Sequence, residues 1–235
     1  MRSLKISKLG AWVYILSALC RAASGGVIYN VTFDTTPLVD HPAGPFYLDL
    51  AFTDGSGVND ANNTVTLSTF NFGGGSALGG PFVFGGASGA IETGVTITDN
   101  TFLSLFEEPF VAGFQLSFTL DLTSNDDASG IPDRFTFFVL DSSGVPLPTL
   151  APSGDYFFGA DLHSTGPIFD AYGGDSSRAP SVGSPVSISA PTITLVNSVP
   201  EPSTLWLLAG GLATLVVLKY RFASLVSRLS WQRER

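Results

Sequence analysis

Between residues 25 and 198, hydrophobic and polar positions alternate with a period of two. In VIYNVTFD, Val27, Tyr29, Val31 and Phe33 share one face; in FYLDLAFT, Phe46, Leu48, Leu50 and Phe52 do the same. The longest run, FVAGFQLSFTLD, puts Phe110, Ala112, Phe114, Leu116, Phe118 and Leu120 on one side and Val111, Gly113, Gln115, Ser117, Thr119 and Asp121 on the other. A two-residue period means half-buried strands, so each run is expected to be a strand, the last as one unbroken stretch of twelve residues. Further strands are expected over 65–72, 81–84, 95–98, 102–106, 134–140, 156–162 and 186–196. Pro191 marks the last of these as an edge strand or the site of a bulge. No helical periodicity is sustained in this region.

Many short strands separated by Gly, Pro, Asn and Asp predict an all-β fold: an antiparallel, jelly-roll-like β-sandwich with a phenylalanine-rich core. Three stretches read as loops: 73–89, which holds eight glycines, the polar 124–132, and 171–185. Residues 197–203 read as a linker.

The two ends break the alternation. At the start, Arg2, Lys5 and Lys8 precede an apolar run, and Ala22-Ala23-Ser24 follows it. That order predicts a secretory signal peptide over 1–24. Its removal takes away Cys20, the one cysteine, so no disulfide is expected.

Near the other end, Pro200 and Pro202 stop any helix from running through, and Ser203 or Thr204 can cap the next one. Leu205 to Leu218 carries no charge. Extended by the snorkelling side chains of Lys219 and Arg221, it predicts a single transmembrane helix over about 205–222. Basic residues cluster after it, which places the C-terminus in the cytoplasm and the body outside. Phe222, Leu225, Val226 and Leu229 recur at helical spacing, as in an amphipathic helix on the inner leaflet.

Charge narrows the function of the body. Between Gly25 and Val199 there are 18 acidic residues against 2 arginines, a net of −16. Such a surface repels phosphate backbones and excludes nucleic acid as a partner. Two candidate sites depend on this acidity. Asp121, Asn125, Asp126, Asp127 and Asp133 leave open a calcium site of a β-sandwich type, although the spacing excludes an EF-hand. Asp54, Asp60 and Asn62 form a second, weaker candidate, and solvated turns with Asx hydrogen bonds are the simpler reading of both groups. No other cofactor is expected.

Catalytic chemistry is poorly represented. His41 and His163 stand alone, and no nucleophile motif is present. Glu107-Glu108 reads as an exposed strand end. Tyr156, Phe157, Phe158 and Tyr172 would stack on sugars if exposed, but core burial is the usual fate of such residues. No enzyme is expected.

Val199-Pro200-Glu201-Pro202-Ser203-Thr204, the apolar stretch and the basic residues after it together resemble the PEP-CTERM sorting signal of bacteria that possess an exosortase. The body also loosely resembles the β-rich ectodomains that accompany that signal. The resemblance implies export across the inner membrane and a single-pass intermediate held by the C-terminal helix. It further implies recognition of the Pro-Glu-Pro region by an exosortase, then delivery to the cell surface or the extracellular polysaccharide layer. It divides the chain into a signal peptide (1–24), an ectodomain (25–198) and a sorting segment (199–235). The ectodomain is then expected to be a structural or matrix protein. The alternatives are a carbohydrate-binding module and, behind it, a polysaccharide hydrolase.

Overall fold

The computed structural model describes residues 26–55, 60–126 and 130–198, together with Gly211 and Thr214. Gly26–Val199 forms one compact unit. Its strands, in chain order, are β1 (Val27–Asp34), β2 (Phe46–Thr53), β3 (Thr64–Asn71), β4 (Ser76–Ala77), β5 (Phe82–Phe84), β6 (Gly86–Ala90), β7 (Gly94–Thr98), β8 (Leu103–Val111), β9 (Gln115–Leu122), β10 (Asp133–Leu140), β11 (Phe158–Leu162), β12 (Ile168–Ala171) and β13 (Thr192–Ser198).

They form two antiparallel sheets. The first has the order β13-β1-β9-β3-β7-β6. The second has β12-β11-β10-β2-β8, and both β4 and β5 pair with β8.

The alternating faces pack as expected. Phe46, Leu48, Leu50 and Phe52 of β2 are all buried, as are Phe135, Phe137 and Val139 of β10. Phenylalanines join the two sheets. Phe118 of β9 stacks on Phe137 of β10 at 5.7 Å between centroids, and Phe33 of β1 meets Phe157 edge-on at 4.7 Å. Each fully buried ring contributes roughly 1.5–3 kcal/mol through the water it leaves. One continuous core results.

The structure corrects three of the expected boundaries. The run from Phe110 to Asp121 is not one strand. It ends in the second sheet with β8 and restarts in the first with β9, and the chain crosses at Gly113. A Cβ at Gly113 would meet the Phe72 carbonyl oxygen at 2.0 Å, so only glycine lets the backbones pass. Phe114, at the crossing, is 66 % exposed. The glycine-rich stretch 73–89 is likewise more than a loop: the strand expected over 81–84 is there as β5, and β4 and most of β6 flank it unexpected. The chain changes sheets again at Gly85, whose φ of +65° suits a residue without a side chain. Finally, Glu108 is no exposed strand end. It is buried in β8, with Oε2 accepting the Ile91 N–H at 2.8 Å, and burial raises its pKa.

β13 lies at a sheet edge, as Pro191 suggested, but begins just after that proline. The helix expected over 205–222 lies outside the described residues except at Gly211 and Thr214. Both are helical, and the Thr214 hydroxyl donates to the Gly211 carbonyl at 2.8 Å. Among the described residues, no helix is long and apolar enough to cross a membrane.

Candidate functional site

Strand direction gathers both ends of the folded unit at one place. β1 starts at Val27 and β13 ends at Ser198, and these two residues stand opposite each other. Ile28 faces Asn197, but Tyr29 faces Leu195, so Val196 is the extra residue of a β-bulge. Among the described residues β13 pairs only with β1. Leu195 is 62 % exposed and Val196 49 %, and among the described side chains of β13 only Ile193 packs partly against the core.

The β2–β3, β7–β8, β9–β10 and β11–β12 connections lie at this same end of the unit. They bury an unusual polar group. Asp54, Asn63, Asp99 and Asp133 are all fully buried. Asn63 ties Asp99 and Asp133 together. Its backbone N–H donates to Asp99 Oδ2 at 2.8 Å, and its Nδ2 donates to Asp133 Oδ2 at 2.8 Å and to the Asn125 carbonyl at 3.1 Å. Asn125 answers with its own N–H to Asn63 Oδ1 at 2.8 Å, and Gly55 N–H reaches Asp133 Oδ1 at 2.8 Å. Burial raises the Asp99 pKa, against the opposing effect of its contacts with Asp133 and the Asn63 N–H. These bonds lock three loops that are remote in sequence.

A second polar group occupies the outer face of the second sheet. Arg134 donates to Asp161 Oδ1 at 2.7 Å and to both Asp170 oxygens at 2.9 Å. The Tyr156 hydroxyl donates to Asp170 Oδ2 at 2.7 Å, and its ring lies 5.2 Å from the guanidinium carbon. Burial opposes the charge on Asp170, yet the Tyr156 and Arg134 hydrogen bonds hold its pKa below the usual value. Arg134, Tyr156 and Asp170 line a shallow groove of about 410 Å³ with Thr136, Phe138 and Ser153.

No curated protein and no solved structure matches the chain. A family model does, over residues 198–221: the PEP-CTERM protein-sorting motif. The chain carries a PEP-CTERM sorting signal. The signal marks an exported protein whose sorting depends on an exosortase. The match begins on Ser198, the last residue of β13, so the PEP-CTERM segment follows the fold directly. This corrects the expected linker: Asn197 and Ser198 belong to the strand. Val199 to Thr204, Lys219 and Arg221 fall within the match and outside the described residues.

The calcium candidates of the body are divided among separate places. Asp121 sits on β9 between Ile28 and Thr66, where burial raises its pKa. Asn125 and Asp133 join the Asn63 group. Asp126 is exposed, and Ser164 hydrogen-bonds it through both its N–H and its hydroxyl, which lowers its pKa. Asp127 lies outside the described residues. Among the described residues, no three His, Cys, Asp or Glu side chains are placed to hold a metal ion. Of the aromatic candidates, Phe157 and Phe158 are core residues and Tyr156 is buried beneath Arg134. Sequence reasoning missed Arg134 and Asp170 altogether. The available signal was scarcity, because Arg134 is one of two basic residues in the whole body.

Proposed function

We propose that this is an exported, non-enzymatic structural protein of the cell surface or extracellular matrix. The observation that carries the reading is the sorting motif at 198–221, fused without a spacer to an acidic, aromatic-cored β unit. In this reading residues 1–24 direct export, and a helix over about 205–222 holds the intermediate with its C-terminus in the cytoplasm. An exosortase recognises Val199 to Thr204, with Lys219 and Arg221 marking the cytoplasmic boundary. The alternation of β1, β2, β3, β8 and β9 between the sheets supports a jelly-roll-like ectodomain.

The groove at Arg134, Tyr156 and Asp170 favours a second reading, binding of extracellular polysaccharide. Planar polar groups there stand beside the half-buried Phe138 ring, a combination suited to neutral sugars.

The deciding experiment replaces Pro200, Glu201 and Pro202 with alanine and compares intact mass and both termini of the protein from its host. The wild-type product is expected to begin near Gly25 and end near Ser203, and the triple variant to retain its C-terminal segment. Identical release of both proteins would overturn the sorting assignment.

A further inference from the structure

We propose that Val196–Ser198, the part of β13 at and beyond the bulge, is a handover segment. It zips onto β1 in the finished fold and peels away so that the processing enzyme can take the sorting segment as an extended peptide. The inference rests on reading residues 199–235 as an exosortase substrate.

Four observations lead here. The sorting match starts on a residue still paired in a sheet, Ser198 opposite Val27. Six residues, 199–204, separate that pair from the apolar stretch, and fully extended they span about 20 Å. Four loops of the folded unit crowd the same end as Ser198, so an enzyme gripping those six residues has little clearance. The bulge at Val196 interrupts the ladder and leaves only the Val27–Ser198 and Ile28–Asn197 pairs beyond it. Leu195 and Val196 are exposed, so at the bulge main-chain pairing with one neighbouring strand holds β13 with little burial of these two side chains. Weakly buried strand ends open at low free-energy cost, and moving elements are drawn from that class. A peptide exchanged from one sheet edge to another cleft keeps its extended form, so no refolding is required.

The test uses the full chain in its own host, with Cys20→Ala so that the engineered cysteines are the only ones. Ile28→Cys with Asn197→Cys joins the strands beyond the bulge; Asn30→Cys with Thr194→Cys joins them before it. Thiol labelling reports whether each disulfide has formed. The first lock is expected to slow loss of the C-terminal segment at least tenfold, with recovery on reduction. The second lock is expected to leave the rate unchanged. A six-residue Gly-Ser spacer inserted after Ser198 should restore processing in the locked protein and speed it in the unlocked one. Processing of the first locked protein at the wild-type rate would overturn the inference. Should that disulfide fail to form, an unchanged rate in the unlocked spacer protein would overturn it equally. The sorting reading fails separately, if the spacer protein is still processed after Pro200, Glu201 and Pro202 become alanine.

Discussion

β10 and β13 are strands of similar length held by different forces. β10 lies between β2 and β11, and its alternate residues Phe135, Phe137 and Val139 are sealed in the core. β13 has one neighbour and shows Leu195 and Val196 to solvent. Burial fixes the first; backbone pairing alone fixes most of the second. The difference separates two tasks within one fold. The centre of the sandwich makes the unit stable, and the edge keeps the sorting segment attached without making it inaccessible.

The contrast can be broken most severely at Phe137, which meets Phe33, Phe118 and Phe158. Phe137→Ala leaves a cavity between the sheets and is expected to cost about 3–5 kcal/mol in chemical denaturation of the ectodomain. A loss below about 1 kcal/mol would mean that the aromatic core does not dominate stability.

A smaller effect of opposite sign is expected on the outer face of the neighbouring central strand. Asp49 stands opposite Glu107, and burial, then the Glu107 charge, pushes its pKa up to about 6. A folded-state pKa above the unfolded 3.8 means that the protonated form favours folding. That contribution is complete below pH 3.8 and is lost as pH rises through about 6. Asp49→Asn should therefore stabilise the ectodomain at pH 7 by about 1–3 kcal/mol, after allowance for solvent screening, and change little below pH 4. Equal effects at both pH values would contradict this origin.

Much of the centre was legible because its strands largely obey one rule. Phe46 to Thr53 alternates cleanly and proved to be a strand with the expected inward face, and Arg134 to Leu140 proved to be a strand as expected, with Val139 and Leu140 both buried at its end. The same rule misled at Gly113. Ala112 and Leu116 are buried on either side of the crossing, so the alternation continues through a change of sheet. Gly86–Ala90 was invisible for another reason: Gly-Ala-Ser-Gly-Ala has no β-branched or aromatic residue, and pairing with β7 alone makes it a strand.

The sorting motif was legible because its chemistry is local: two prolines, an uncharged stretch and a basic end lie within 24 residues. The Asn63 group was not, since Asp54 follows β2, Asp99 follows β7 and Asp133 opens β10, and only the fold brings these places together. The abrupt junction was hidden too. Asn197 and Ser198 look like spacer residues, and their strand character depends on β1, at the opposite end of the body.

The most direct test of a stable centre with a releasable edge is amide hydrogen exchange of the full-length protein before processing. Amides of Phe135 to Val139 should exchange only on global unfolding, and those of Asn197 and Ser198 at least a hundredfold faster, through opening confined to the end of β13. Equal protection at both places would contradict the account, since the edge would then open only when the whole unit unfolds.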